Sequence, residues 1–254
     1  MISKIMNEEN TNQFEAEMEL DQIAEQSFGL LGRILDESMA LKSGEDMRRA
    51  FVYRHARNIY QLGRDVILLI EACRLDSCPI IARAMLESLF KLAVAVKQPD
   101  SAIQILISEV EDDLGRITKW LDPASCAPAI KHLSNFAQRL RNEYQITSVK
   151  KWNTLACAEA AELGEQYRGE YFHFSGHAHA TTGGIILQEL SFGAGQVLQT
   201  TLAVVLSATG HAVQVVPTNS PQKHLDESVE LLRNMIGSIK NGDFQALNKT
   251  KEGE

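Results

Sequence analysis

Apolar residues recur three and four positions apart along nearly the whole chain, and no run of strict alternation lasts more than a few residues. A period of 3.6 lays such residues on one face of a helix, whereas a half-buried strand needs a period of two. The pattern therefore predicts helices at about 13–42, 45–75, 79–97, 100–121, 126–144, 150–166, 168–181, 185–214 and 222–240. Breaks fall at Ser43-Gly44, Cys78-Pro79, Pro99-Asp100, Asp122-Pro123, Gly183-Gly184 and Pro217 to Pro221. Asp100 and Ser220 suit helix starts, because a short polar side chain satisfies orphan amides, and Pro221 suits a first turn. The connections are short, which favours antiparallel neighbours, so the expected architecture is all-α: a single multi-helix bundle of about nine helices. It occupies residues 13–241, between a disordered N-terminus at 1–12 and a flexible tail at 242–254 that ends NKTKEGE.

A chain of 254 residues can bury one sizeable core without disulfide or metal staples. Its 33 acidic and 25 basic side chains give a net charge of −8, which disfavours indiscriminate attraction to polyphosphates. Contact with nucleic acid then needs a local basic patch. Cys73, Cys78, Cys126 and Cys157 form no C-x-x-C pair and lie in or beside apolar helical stretches, which points to buried thiols, a reducing cytoplasm and no zinc. The opening MISKIMNEENTNQFEAEMEL carries acids where a signal peptide needs a basic segment and a continuous apolar core, so export by that route is not expected. The most lipid-like stretch, Leu198 to Val216, is interrupted by Gln199, Thr200, Thr201, Ser207, His211 and Gln214. It falls short of the roughly 20 predominantly apolar residues a span needs, and no membrane partner is expected.

Helix 79–97 is apolar nearly all the way round, which marks a central element. Its exceptions Arg83, Glu87 and Lys91 step by four into one stripe, with Ser88 beside it. Two readings are open: a solvent-facing strip with a surface ion pair worth about 0.2–1 kcal/mol, or a half-buried Arg–Glu pair lining a cavity, where each charge needs the other. A second stripe follows in YRGEYFHFSGHAHATTGG, where Tyr167, Tyr171, Ser175 and His179 also step by four. Such a face is neither an ordinary core stripe nor an ordinary solvent stripe; it suits a hydrogen-bonded helix junction or a site. Complementarity predicts that Arg83 and Glu87 meet Tyr171, Ser175 and His179 across a helix–helix contact.

The stretch GRDVILLIEACRLDSCPIIARAMLES, followed by Y-x-x-F-S-x-x-x-H, resembles a bacterial helical family known only as a domain of unknown function. That family pairs an R-x-x-x-E helix with a later Y-x-x-[Leu/Phe]-S-x-x-x-H segment. Arg83 and Glu87 match the first element, and Tyr171, Ser175 and His179 the second; the likeness spans about residues 45–215. It implies a fold and a site, and supplies no reaction. Arg168 and His173 also fit the R-x(4–6)-H pattern of HEPN-type helical ribonucleases. Arg49 and His55 fit it as well, and Gly169 stands where a polar residue often follows the arginine. The HEPN resemblance implies RNA cleavage without metal or cofactor in a homodimer, in stress or phage defence. A histidine there moves the proton of the 2′-hydroxyl while arginine stabilises the phosphate. The candidate catalytic residues are Arg83, Glu87, Arg168, Tyr171, His173, Ser175 and His179. The competing reading is a non-catalytic helical binding or scaffold module.

Other chemistry has less support in the residues. His173 and His177 are spaced to share an ion on a helix, but no H-E-x-x-H order accompanies them. Ser175 lacks the strand–elbow context of a serine nucleophile. Trp120 and Trp152 are expected as packing anchors, and His55, His132, His211 and His224 show no partner pattern. Arg48, Arg49, Arg54, Arg57 and Arg64, interleaved with Phe51, Tyr53 and Tyr60, form the one basic zone. It reads as a solvated or ion-paired face, or as the place for phosphate contacts. The apolar abundance of helix 185–214 points to a homodimer.

Overall fold

A computed structural model describes residues 11–40, 46–120, 122–178 and 193–243. The expected all-α bundle is found: among these residues there are nine helices, one short 3-10 turn at Leu75–Ser77, and no strand. In chain order they are α1 (Thr11–Ala40), α2 (Met47–Glu71), α3 (Cys78–Lys97), α4 (Ser101–Trp120), α5 (Pro123–Glu143) and α6 (Thr154–Ala160). Then come α7 (164–178), α8 (Ala194–Ala212) and α9 (Pro221–Asn241). The middle of α7, Tyr167–Tyr171, is a π turn set between Gly164–Gln166 and Phe172–Ala178.

The centre is α3, which buries side chains on almost every side and packs against α2, α4, α6, α7 and α8. Its partner α8 is enclosed by α1, α2, α3 and α9, with Val197, Leu198, Leu202 and Val205 buried. Packing within the chain thus accounts for the described part of the apolar helix expected at 185–214. Residues 185–192 lie outside the described residues. In α2 one face, Val52, Ala56, Ile59, Gly63 and Val66, is buried at helical spacing, and the opposite face is left polar. Gly63 is required there by a close approach: a β-carbon would come within 2.7 Å of the Phe28 ring on α1.

Several boundaries differ from the sequence-based expectation, for local reasons. α2 stops at Glu71 rather than about 75, because Cys73 takes a left-handed φ of 55° and Arg74 N–H closes back on Leu69 O. α5 starts at Pro123 rather than about 126, since Asp122 caps it by accepting from Ala124 N–H and Ser125 N–H. The helix expected at 150–166 is only Thr154–Ala160, capped by Asn153 and ended before Glu162 at φ 62°. Pro221 opens α9 as expected, but Ser220 makes no side-chain capping bond. Cys73 is exposed at the turn rather than buried. Trp120 is 72% exposed, so it anchors nothing, whereas Trp152 is buried. Of the N-terminus expected to be disordered at 1–12 and the tail expected to be flexible at 242–254, residues 1–10 and 244–254 lie outside the described residues, while Thr11 and Asn12 open α1 and Gly242 ends α9. No helix among the described residues is long and apolar enough to cross a membrane.

Candidate functional site

Arg83 and Glu87 stand one turn apart on α3, on the side where α7 crosses, and the π turn in α7 delivers Tyr171 between them. Arg83 Nε donates to Glu87 Oε1 at 3.1 Å and to the Tyr171 hydroxyl oxygen at 3.3 Å. The Tyr171 hydroxyl in turn donates to Glu87 Oε1 at 2.8 Å. The guanidinium also lies 5.4 Å from the centre of the Tyr171 ring, a cation–π distance. Tyr167 stacks on Tyr171 at 4.8 Å, and Phe90 meets the same ring edge-on at 6.0 Å. Burial raises the Tyr171 pKa, and its bond to Glu87 raises it further, against Arg83 and Thr154, which hydrogen-bond to the oxygen. Burial opposes the charge on Arg83, yet Tyr171 and Glu87 together hold its pKa above the ordinary value. Side-chain exposures of 22% and 31% make this a half-buried pair rather than a sealed one.

The other expected residues are distributed differently. Ser175 is half-buried one turn beyond Tyr171. His173 is half-buried near the Phe174 ring, and burial lowers its pKa. Arg168 is exposed, and its guanidinium folds back over Gly164, 3.3 Å from where a β-carbon would sit. The R-x4-H pair is therefore directed at different neighbours, in mid-helix and not at a helix start. His179, and the side chain of His177, lie outside the described residues. Among the described residues no group of three His, Cys, Asp or Glu side chains converges as a metal site.

On its other side Glu87 lines a cleft of about 490 Å3 between α2, α3 and α4. The polar face of α2 supplies Arg54, Arg57, Asn58 and Gln61, spaced i, i+3, i+4 and i+7, so four donor-bearing side chains share one face. From α3 come Ser88 and Lys91. Asn58 Nδ2 donates to Ser88 Oγ at 2.8 Å, and Lys91 Nζ pairs with Glu109 Oε1 of α4 at 2.5 Å. His55 also lines the cleft, its ring 4.4 Å from that of Phe51, with a buried Nδ1 that has no hydrogen-bond partner among the described residues. Burial, and then the charges of Lys91 and Arg54, lower its pKa to about 3, so the imidazole is neutral near pH 7.

The basic zone expected from sequence divides in space. Arg48 is consumed by the C-terminus of α3, donating to Ala95 O at 2.9 Å and Val96 O at 2.7 Å, where helix carbonyls lack intrahelical partners. Arg49 pairs with Asp46 at 3.2 Å, and Arg64 lies over the Phe28 ring at 6.0 Å. Arg54 and Arg57 are exposed at the cleft and have no ion pair among the described residues. The sequence signal that could have found this site was the spacing of Arg54, Arg57, Asn58 and Gln61; grouping arginines by proximity in sequence hid it.

A family model described as a family of unknown function, DUF5677, matches residues 49–191, more than half of the chain. The match contains Arg54, Arg57, Arg83, Glu87 and Tyr171 alike. No curated protein and no solved structure matches.

Proposed function

We propose that this chain, which belongs to the DUF5677 family, is a non-catalytic helical binding module whose ligand enters the cleft between α2, α3 and α4. One observation carries the reading: the cleft's acids and its histidine are already committed, while the donors of Arg54, Arg57 and Gln61 are exposed and have no partner among the described residues. Glu87 is held by Arg83 and Tyr171, Glu109 by Lys91, and His55 is too weak a base to take a proton near neutrality. Arg54, Arg57 and Gln61 remain at the rim, and a cavity of about 490 Å3 is of small-molecule size. The test is thermal unfolding with a panel of nucleotides, sugar phosphates and amino acids, beside Gln61→Trp, which fills the cleft from an exposed position. Some compound should raise the melting temperature of the wild type and not of Gln61→Trp. No shift anywhere, or equal shifts in both proteins, contradicts the reading.

A second reading, the metal-independent ribonuclease of stress or phage defence, has one observation in its favour. His173, two residues beyond Tyr171, has a pKa lowered by burial, so it is a neutral proton acceptor close in sequence to a tyrosine–glutamate–arginine cluster. Purified protein incubated with total RNA, beside His173→Ala, decides between the two readings: RNA left intact at equimolar protein removes the nuclease. The four free thiols support a cytoplasmic setting for either reading. A homodimer finds its support in Val229, Leu232 and Ile236, an exposed apolar stripe at i, i+3 and i+7 on α9. Sedimentation at micromolar concentration should give a dimer that Ile236→Asp dissociates; a wild-type monomer removes the proposal.

A further inference from the structure

We infer that the cleft ligand is a nucleoside 5′-phosphate, with its phosphate between Arg54 and Arg57 and its nucleoside in the apolar groove that adjoins them. The inference rests on the binding-module reading and adds the class of ligand. Its first support is the local charge. Within the cleft Glu87 is neutralised by Arg83 and Glu109 by Lys91, and His55 contributes no charge near pH 7. Two guanidinium groups, three residues apart on one helix face, are left without an ion pair among the described residues, in a chain of net charge −8. The distant acids do not cancel them, since salt screens charges beyond about 8 Å at physiological ionic strength. A phosphate monoester, carrying roughly −1.5 to −2 at neutral pH, matches two such charges, and the guanidinium fork matches its oxygens. A carboxylate would meet only half of that demand.

The second support is shape. A groove of about 480 Å3 continues from the cleft and shares Phe51, Arg54, Leu106 and Glu109 with it. Its far wall holds Val110 and Phe136, so it is apolar and partly aromatic. The acids along it are occupied: Glu109 by Lys91, and Asp113 by Arg116 at 2.7 Å. Arg54 therefore stands where a donor-rich cavity meets an apolar one, the arrangement required by a ligand with a dianionic end and a flat apolar body. Asn58 and Gln61 can bond the phosphate or ribose oxygens, and Phe136, over whose ring the Arg139 guanidinium lies at 5.4 Å, lines the groove where a base would lie.

The same chemistry exists on a free nucleotide and on the 5′ end of an RNA, and calorimetry on the full chain separates them. The probes are adenosine 5′-monophosphate, adenosine, inorganic phosphate, and one short RNA with a 5′-phosphate or a 5′-hydroxyl. Adenosine 5′-monophosphate should bind at least tenfold more tightly than adenosine. The double variant Arg54→Ala/Arg57→Ala should lose tenfold or more of that affinity, with its circular dichroism and melting temperature unchanged. Phe136→Ala should weaken the nucleotide severalfold and leave inorganic phosphate unaffected. Tighter binding of the 5′-phosphorylated RNA than of the free nucleotide assigns the site to RNA ends; the reverse assigns it to free nucleotides. The inference is overturned if folded protein does not bind the nucleotide at millimolar concentration, if the double variant binds it equally, or if RNA binds regardless of its 5′ group. If the nucleotide fails while another compound protects the wild type and not Gln61→Trp, only the ligand class is wrong. If no compound does so, the binding-module reading has failed as well.

Discussion

At the junction of α1 and α9, Glu37 accepts from Asn219 N–H at 2.8 Å and lies 3.2 Å from His224 Nε2 through both carboxylate oxygens, and Arg33 pairs with Glu227 at 2.5 Å beside it. In the cleft between α2, α3 and α4, Arg54 and Arg57 have no such partners among the described residues. Both regions put polar groups between helices, but in the first they are paired within the chain: His224, 4% exposed, meets Glu37 through Nε2, although its Nδ1 has no partner among the described residues, and the more exposed Arg33 meets Glu227. Groups paired within the chain fix helices, while exposed donors without a partner keep capacity for something outside the chain. Substitutions should therefore affect stability at the first place and binding at the second.

The largest effect is expected from Glu37→Ala. It removes the acceptor of both Asn219 and the buried His224, and urea unfolding should show a loss of about 2–4 kcal/mol with nucleotide affinity unchanged. The Asn219 bond, and then His224 and Arg33, lower the Glu37 pKa below its ordinary 4.5 against burial. A depressed carboxylate contributes stability that is present above the unfolded value and lost as pH falls through the folded one. Wild type should show that acid loss, and Glu37→Gln should not. Glu87→Ala should cost less, about 1–3 kcal/mol, because it leaves the Tyr171 hydroxyl and the Arg83 guanidinium half-buried without their acceptor. A wild-type midpoint in that variant would mean that the Arg83–Glu87–Tyr171 cluster holds nothing together.

His55 gives a pH signature of its own. Its folded pKa of about 3 lies below the ordinary 6.5, so between those values the unfolded chain binds the proton that the folded chain refuses. Stability is complete above pH 6.5 and declines toward pH 3, by on the order of 2 kcal/mol for a half-buried ring. Replacing it as His55→Gln should flatten that part of the profile; an unchanged slope would place the titration elsewhere. The smallest change in stability belongs to Arg54→Ala and Arg57→Ala, within about 0.5 kcal/mol by denaturant unfolding, as for surface positions without partners. A larger loss would make these arginines part of the fold and close the comparison between the two regions.

The sequence exposed the Arg83–Glu87–Tyr171 contact because an i, i+4 ion pair on a helix apolar all round has few ways to be buried, and a tyrosine stripe answers it. The family likeness rested on the same residues. His224 and Glu37 stand 187 positions apart, and no local pattern connects them. The basic zone was visible as composition, but which arginines remain available depended on Arg48 reaching the carbonyls of Ala95 and Val96. The helix expected at 150–166 misled because its pattern runs unbroken across Glu162, whose left-handed backbone divides it. Trp120, expected as a packing anchor, is 72% exposed, and nothing in the sequence shows that its side of α4 is left uncovered.

A ligand in the cleft perturbs the nuclei that line it, and two-dimensional NMR of the full chain titrated with adenosine 5′-monophosphate reads them directly. The side-chain amides of Asn58 and Gln61 and the ring of His55 should shift in a saturable way, while the ring of His224 stays still. Shifts confined to the α1–α9 junction, or no saturable shift at Asn58 and Gln61, would contradict a nucleotide site in the cleft between α2, α3 and α4.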